Sequence, residues 1–280
     1  MEAGTLAVKR AHGLGNVVCL LPVLDKLCLL QSRITVVTQA EWINAFSVLK
    51  PEFTWKADPD GRPIDLDALT ESHRPAEHRT DELGRLLGQE PPFPAPVLKI
   101  PEQWRSPFEH LAGCVVFASE GGHPSRQWPH EQAERLAGLL EGRKLILIGT
   151  SSRWTLPAHV DLRCRLQLEE LFGLLAVAGA VVTMDSGVLH LAAALQTPTV
   201  ALFGGIDPKF RVRQNQHVVV LQSTLDCCPC NKNETCNGMY PCITGITAEE
   251  VIRAIDVAQA TAHRVITRVM PATETSLQKS

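Results

Sequence analysis

Aromatic side chains are scarce in this 280-residue chain, where they make up 5% of the residues and Tyr240 is the single tyrosine. So few rings argue against a surface on which successive nucleic-acid bases stack. The net charge of −3, from 27 basic and 30 acidic residues, provides no global positive field for a polyanion. We therefore expect no nucleic-acid partner.

The sequence also lacks a long apolar run. The longest covers residues 171–184, about 14 residues, whereas a membrane span needs roughly 18 or more. The N-terminus has no basic segment followed by an apolar one, so we predict no secretory signal. These absences indicate no transmembrane segment and a cytoplasmic protein, at most peripheral at the inner membrane, whose thiols stay reduced.

What the sequence does contain is a repeated order of strands and helices. Apolar composition of 45% and charged composition of 20% are ordinary for a globular protein. Alternating strands and helices predict parallel sheets, and a proline-dense stretch at residues 91–107 is typical of a linker between domains. We predict an α/β fold with two Rossmann-like lobes, whose parallel sheets face each other across a cleft. The expected boundaries are residues 1–105 for a trimmed first lobe including the linker, 108–265 for the second lobe, and 266–280 for a tail.

The strand and helix predictions follow apolar runs and their spacing. Residues 51–75 show no clear pattern and are left unassigned. The expected strands are 5–10, 34–38, 114–118, 145–148, 180–184 and 199–203, and the expected helices are 17–30, 41–49, 80–87, one opening at Pro129, 168–176, 188–195 and 247–260.

Ligands of open parallel sheets bind beyond the carboxyl ends of the strands. Here this rule selects the loops 11–16, 119–126, 185–188 and 204–208. The strongest of them follows strand 180–184, where Ser186, Gly187 and Val188 would expose backbone N–H groups at a helix N-terminus, with His190 in the first turn. The alternative is that Ser186 merely caps the helix and His190 merely packs.

Two further loops are weaker signals. The loop 119–126 offers hydroxyls and Arg126 to a diphosphate, but the alternative is a solvated loop with Trp128 packed at the lobe edge. Gly13 and Gly15 follow the first strand without the third glycine of the dinucleotide fingerprint. An NAD-dependent dehydrogenase is therefore a weak third hypothesis.

Five of the nine cysteines fall within residues 227–242. Four thiolates in one short loop can close around a structural zinc or iron ion, and the alternative is a loop of free thiols. The predicted ligands are Cys227, Cys230, Cys236 and Cys242, with Cys228 as a substitute. A closed shell leaves no open position for a substrate, so we expect no catalytic metal.

These motifs carry a resemblance to a known family. The run from Asp185 to Leu195, the run from Pro198 to Gly204 and the pair Asp207-Pro208 resemble the nucleotide-sugar site of glycosyltransferase family 9. This is the ADP-heptose:lipopolysaccharide heptosyltransferase family, which has the GT-B fold. Arg126-x-Trp128-Pro129 and the glycine loop around Gly13 and Gly15 are similar to further motifs of the family. The family also includes autotransporter heptosyltransferases with cysteine-bound iron, and the cysteine cluster of this chain resembles the cysteines of such members.

The resemblance implies an inverting transfer of a heptose-like sugar from an NDP-sugar, ADP-heptose above all, to a hydroxyl acceptor. It assigns the donor diphosphate to Ser186, Gly187, Val188 and His190. Arg126 would stabilise the departing ADP, because a cation offsets the charge that develops on the leaving group. Ser119 would contact phosphate or ribose, and Asp185 would orient the loop or touch the sugar. Three acceptors are compatible with the sequence: a lipopolysaccharide core, a protein side chain and a small glycoside. A homo-oligomer is compatible with it as well.

One position departs from the family pattern. The family usually has an aspartate in the glycine loop as the base for the acceptor hydroxyl, whereas this chain has Asn16. A neutral amide cannot accept that proton. Either another group such as His12 is the base, or Asn16 only binds the acceptor, or the protein is a catalytically impaired nucleotide-sugar-binding or scaffold homologue.

Overall fold

The first lobe is built around a parallel sheet. In the computed structural model, the described residues are 5–30, 33–70, 76–118, 121–140, 142–151, 155–158, 160–261 and 263–269. Among them, four strands pair in the order β3-β2-β1-β4, all parallel. The elements of this lobe are β1 (Thr5–Lys9), α1 (Leu14–Cys28), β2 (Arg33–Val37), α2 (Ala40–Leu49), β3 (Thr54–Lys56), β4 (Ile64–Asp65), α3 (Leu66–Thr70) and α4 (Arg79–Leu86).

The second lobe is built around a larger parallel sheet. A short helix α5 (Glu102–Arg105) and a 3-10 turn (Ser106–Leu111) lead into it. Its elements are β5 (Val115–Ala118), a 3-10 turn (Pro124–Arg126), α6 (His130–Leu139), β6 (Leu145–Ile148), β7 (Val160–Asp161), α7 (Leu168–Val177), β8 (Ala180–Met184), α8 (Gly187–Ala194), β9 (Thr199–Phe203), a 3-10 turn (Pro208–Phe210), β10 (Val218–Ser223), α9 (Pro241–Thr244), α10 (Ala248–Ala260) and β11 (Val265–Val269). The strand order is β11-β10-β9-β8-β5-β6-β7. The predicted two-lobed parallel α/β fold is confirmed.

Buried strands explain why the sheet predictions succeeded. Every residue of β5, β6, β8 and β9 is buried, as expected of a parallel sheet covered by helices on both faces. The same rule applies to β10, whose six residues are all buried between β9 and β11. That strand is absent from the prediction, although its run of valines carries the same signal.

The proline-rich stretch is part of the core and not a free tether. Residues 91–101 have no regular structure, but the amide of Leu98 donates to the Ala194 carbonyl of α8 at 2.9 Å. The α5 helix packs against α7 so closely that a Cβ atom on Gly173 would lie 1.8 Å from the Trp104 carbonyl oxygen. One apolar core therefore continues from the first lobe into the second.

The predicted tail needs a correction. Residues 265–269 form β11, which pairs in parallel with β10 over five residues, for example Val219 with Val265. The run Val-Ile-Thr-Arg-Val is rich in β-branched residues, which favour strands. The second sheet consequently extends to residue 269, beyond the predicted boundary at 265.

Candidate active site

The glycine loop after β1 is held in place by hydrogen bonds to α3. Arg10 is buried and donates to the Leu66 carbonyl at 2.8 Å and to the Thr70 hydroxyl at 2.7 Å. The Asp67 carboxylate accepts from the backbone amides of Ala11 at 2.8 Å and His12 at 3.1 Å. These bonds tie the backbone that leads into α1 to the α3 helix.

Gly13 and Asn16 complete this loop. Gly13 has a φ of 83°, in the left-handed region that glycine adopts without strain. The Asn16 side-chain amide donates to the His12 carbonyl at 2.8 Å, and Asn16 lines a small cavity. His12 is exposed and is not among the residues that line that cavity.

The N-terminus of α8 forms the opposite wall. Ser186 occupies the N-cap position, but its hydroxyl does not cap the helix and instead shares a hydrogen bond with the Thr183 hydroxyl at 3.0 Å. The amides of the first turn are therefore left without a side-chain cap, which is the arrangement that favours an anion. Ser186 and Gly187 line the cavity, as does His190 one turn further on.

The two walls are in direct contact. A Cβ atom on Gly15 would lie 2.4 Å from Cδ2 of His190 and 3.3 Å from Cα of Gly187. Any side chain at this position would separate the glycine loop from α8. Gly15 thus permits the first lobe to approach the candidate anion site of the second.

Cationic side chains surround the cavity, which has a volume of about 180 Å³. Arg126 lies 3.2 Å from the Asp185 carboxylate, and Nε of Arg211 lies 3.6 Å from its other oxygen. Burial raises the pKa of Asp185, but Arg126, Arg211 and His190 outweigh it, so the pKa is lowered and the carboxylate stays ionised. Among the described residues, the lining includes one carboxylate and these cationic or titratable groups: Arg79, Arg126, His190, Arg211 and Lys232.

The crowding of positive charge is visible in the pKa values. Burial lowers the pKa of Lys232, and repulsion from Arg79, Arg211 and Arg126 lowers it further. Burial also lowers the pKa of Arg211, with Asp185 acting in the opposite direction. Cations that destabilise one another in this way are stabilised when an anion enters, because the ligand supplies the missing opposite charge.

A second, more apolar cavity of about 570 Å³ adjoins the first, and the two share Ser186 and Gly187. Its walls are formed at the ends of β5 and β6, by residues before and within α7, and by Leu14 and Trp42 of the first lobe. The described lining is Leu14, Trp42, Ala118, Ile148, Gly149, Thr150, Leu162, Cys164, Arg165, Leu166, Leu171, Ser186, Gly187 and Val188. An apolar pocket beside a cationic one suits a ligand that has both an apolar and an anionic part.

The loop 204–206 joins the site from the other side. A Cβ atom on Gly204 would lie 2.5 Å from the Ser125 carbonyl oxygen, so this loop is packed against the 3-10 turn that carries Arg126. The structure therefore brings together the loops after β1, β5, β8 and β9. Ser119, also a predicted ligand, lies outside the described residues.

The cysteine-rich loop borders a further cavity of about 470 Å³, which shares Arg126 and Lys232 with the cationic cavity. Cys227, Cys230, Cys236 and Cys242 all line it. A hydrogen bond from Cys228 lowers the pKa of Cys242 to about 7, and the Cys228 thiol lies 3.3 Å from the Gly204 carbonyl.

The predicted metal shell is not assembled. In the part of the chain that the structure describes, no three His, Cys, Asp or Glu side chains are arranged to hold a metal ion. Cys228 and Cys242 hydrogen-bond to one another, and Cys228 also approaches Gly204. A metal shell needs further ligands that converge on the same point, and the described residues do not supply them.

Three cationic residues of the cavity were missed by the sequence analysis. Arg79 opens α4 in the first lobe, Arg211 follows the 3-10 turn after β9, and Lys232 belongs to the cysteine-rich loop. Arg79 is buried, and its Nε has no hydrogen-bond partner among the described residues. Of these three residues, only Arg211 could have been found from the sequence, because Arg211 lies three residues after the Asp207-Pro208 pair.

Two parallel-sheet lobes with a cationic cavity between a glycine loop and a helix N-terminus are the layout of the two-lobed GT-B class. The model of glycosyltransferase family 9 (heptosyltransferase) matches residues 91–240. The chain belongs to this family, and the resemblance drawn from the motifs is confirmed.

A curated relative is lipopolysaccharide heptosyltransferase 2 of Salmonella typhimurium, 30% identical over 147 residues. That match spans 47% of this chain and 42% of the relative, so the chain matches less than half of the relative's length. A family 9 glycosyltransferase structure from Veillonella parvula superposes with a TM-score of 0.71 at 18% identity, over 93% of this chain and 99% of that one. The iron-containing dodecameric glycosyltransferase TibC of enterotoxigenic E. coli superposes with a TM-score of 0.73 at 14% identity, over 92% of this chain and 76% of TibC.

In the described part of the chain, no helix combines the length and the hydropathy that crossing a membrane requires.

Proposed function

We propose that this chain transfers a heptose-like sugar from ADP-heptose to a hydroxyl group, with inversion at the anomeric carbon. The observation that carries the proposal is the cationic cavity at the N-terminus of α8, continuous with an apolar pocket large enough for a nucleoside. Family membership supports the reaction class. The choice of donor is supported by TibC, which was solved in complex with ADP-D-β-D-heptose.

In this proposal the diphosphate occupies the cationic cavity. The backbone amides of Gly187 and Val188 and the Ser186 hydroxyl donate to phosphate oxygens, while Arg126 and His190 supply positive charge. The adenosine extends into the apolar cavity between β5, β6 and α7. This arrangement stabilises ADP as a leaving group, since the donors are fixed where negative charge develops during transfer.

Asp185 is better suited to orientation than to proton abstraction. Its pKa is lowered by the net effect of two arginines and His190 against burial, so it is a weak base at neutral pH. Ion pairs with Arg126 and Arg211 hold the carboxylate at the base of the cavity. In the proposed reaction it fixes both arginines and contacts the sugar.

The donor proposal is tested by ADP binding and ADP release with the substitution Arg126→Gln. Truncating a donor that stabilises the developing charge costs about 10²–10³-fold in rate in comparable sites. The matched control is Arg135→Gln, which removes an exposed arginine paired with Glu249 on the second lobe. Equal ADP-heptose turnover by the Arg126→Gln variant and the control would refute the assigned role.

A second candidate function is nucleotide-sugar binding without transfer. Asn16 favours it, because this amide lines the cavity and donates to the His12 carbonyl, and it cannot act as a base. The substitution Asn16→Asp distinguishes the two. A large gain in sugar transfer would mean that the wild type lacks its base. Measurable transfer by the wild type that is equal or lower in the variant would instead assign Asn16 to acceptor binding, with another group such as His12 as the base.

The acceptor is proposed to be a lipopolysaccharide core, because curated relatives carry lipopolysaccharide heptosyltransferase names. A protein side chain and a small glycoside are the competing acceptors, and transfer of labelled heptose to each in parallel decides among them. Cytoplasmic residence, at most peripheral to the inner membrane, is part of the proposal and is tested by cell fractionation. TibC is dodecameric, so light scattering of the purified chain tests a homo-oligomer.

No role in this reaction is assigned to the thiols of the cysteine-rich loop. TibC is iron-containing, but the described thiols of this chain do not form a metal-binding group. Elemental analysis of the purified protein measures iron and zinc directly. One equivalent of either metal that is lost on replacing Cys242 with alanine would mean that the loop rearranges around an ion.

A further inference from the structure

A cysteine and a histidine from different lobes meet beneath the cationic cavity. Cys19 lies on α1 and is 1% exposed, and His190 lies on α8 and is 8% exposed. The Cys19 Sγ is 3.5 Å from Nδ1 of His190. This is within the range of a hydrogen bond to sulfur, and it joins residues 171 positions apart in the sequence.

The contact determines which part of the imidazole is left for a ligand. His190 lines the cationic cavity, and its Nδ1 is engaged by Cys19, so Nε2 is the ring nitrogen that remains for an anion. The backbone of Gly15 lies close beside the same ring, since a Cβ atom at this position would be 2.4 Å from Cδ2. The imidazole is thus held from two directions by α1.

The charges around His190 come from several elements. Asp185 and Arg211 face it from the second lobe, Cys19 faces it from α1, and His78 and Arg79 lie at the start of α4. The carboxylate is shared with Arg126 and Arg211. Cys19 is therefore the partner in direct contact with the ring.

We propose that Cys19 is a positioning residue, whose thiol holds Nδ1 of His190 so that Nε2 donates to the diphosphate of the donor. The proposal rests on the proposed function, because it needs a diphosphate in the cavity. It also makes the contact between the lobes part of donor binding: if α1 moves away from α8, His190 loses its orientation and its charge.

The titration of the two groups agrees with this geometry. Burial lowers the pKa of His190, but Cys19 and Asp185 raise it by more, so the pKa lies above its usual value. Burial raises the pKa of Cys19, but the charge and hydrogen bond of His190 outweigh it and the pKa is lowered. Each group thus favours the charged form of the other.

The experiment compares wild type with Cys19→Ala and Cys19→Ser. The His190 pKa is measured by NMR with 13C-labelled histidine, assigned with His190→Ala, and ADP affinity is measured by calorimetry between pH 6 and pH 9. We expect the His190 pKa to fall in Cys19→Ala, and ADP affinity at pH 8 to fall about tenfold for each unit of that decrease. Affinity at pH 6 should change little, and Cys19→Ser should restore part of the loss, because a hydroxyl oxygen can still accept from the Nδ1–H of the charged ring.

The matched control is Cys114→Ala, which truncates an equally buried thiol just before β5 that does not line the described cavities. It should lower stability without changing the pH dependence of ADP binding. An unchanged His190 pKa and an unchanged pH profile of ADP affinity in Cys19→Ala would overturn the proposal. If the alanine variant does not fold, the same two measurements on Cys19→Ser decide. Failure of the wild type to bind ADP would instead refute the proposed function, and the NMR titration would still test the Cys19–His190 contact.

Discussion

The close approach of Gly15 to His190 makes Gly15→Ala a sharp test of the site. Within α1 the substitution should stabilise the helix by about 1 kcal/mol, because alanine has the higher helix propensity. Against this, the new Cβ atom would lie 2.4 Å from Cδ2 of His190 and 3.1 Å from its Cγ. Overpacking of this kind costs about 1–3 kcal/mol, so the net loss of stability should not exceed about 2 kcal/mol.

Ligand binding should respond more strongly than stability does. The imidazole must move to accommodate the methyl group, and it then loses a charge-assisted hydrogen bond to the diphosphate that is worth about 1.5–3 kcal/mol. We expect the Kd for ADP to rise roughly 10- to 150-fold. Calorimetry with ADP gives the affinity, and urea denaturation gives the stability of the same samples.

A double-mutant cycle separates this mechanism from a general disturbance of the lobes. With His190→Ala already in place, adding Gly15→Ala should leave ADP affinity nearly unchanged, because the clashing ring is gone. Gly138→Ala is the control, since Gly138 is exposed on α6 with nothing within 4 Å of a new Cβ. An equal loss of affinity in both backgrounds, or wild-type affinity for Gly15→Ala alone, would refute the reasoning.

Three predictions concern stability. Burial, with Arg213, lowers the pKa of His78 to about 3. The His78 side chain therefore stays neutral in the folded state, whereas in the unfolded state it binds a proton below pH 6.5. The free energy of unfolding consequently falls as the pH drops. Between pH 7 and 5 the wild type should lose about 2 kcal/mol more than His78→Asn in urea denaturation, with exposed His263→Asn as the control; equal losses would contradict this. Gly173→Ala should cost about 3 kcal/mol or more, because its Cβ meets a backbone carbonyl of α5, and an unchanged Tm would count against that packing. Asp81→Asn should cost about 2–4 kcal/mol, because it leaves the largely buried Arg213, 2.6 Å away, without its charge partner. A loss below about 0.5 kcal/mol by calorimetry, which is the size expected of a surface substitution, would show that this bridge between the lobes is weak.

Local patterns were sufficient for most of the fold. Continuous apolar runs predicted β6, β8 and β9 at their observed bounds. A buried parallel strand is specified by its own side chains, which must all be apolar when helices cover both faces. The same logic failed for β4 and α3, because a two-residue strand and a five-residue helix are too short to have a period.

The candidate site was predictable where it consists of a strand end and the following turn. Asp185, Ser186, Gly187 and His190 follow β8 directly, and the structure assembles them around one cavity. The role of Asp67 could not be predicted in this way. It holds the glycine loop by accepting from two of its amides, and nothing in the sequence around residue 67 indicates which distant amides it will meet.

The cysteines illustrate the limit of spacing arguments. A spacing compatible with a metal shell places thiols in one loop, but ligand geometry needs their sulfur atoms to converge on one point. In the described loop, Cys228 interacts with Cys242 and with the Gly204 carbonyl, and no three ligands of the predicted shell converge on one point.

The sequence by itself determined the parallel α/β lobes, the loops that carry the ligands, and the family to which the chain belongs. These properties are local, since each depends on a few consecutive residues and their burial or turn chemistry. Only the tertiary structure decided that Arg79, Arg211 and Lys232 share a cavity with Arg126, and that Cys19 holds His190 from the other lobe. The physical reason is that such contacts join positions far apart in the chain, and packing of α1 against α8, not any local pattern, brings them within reach.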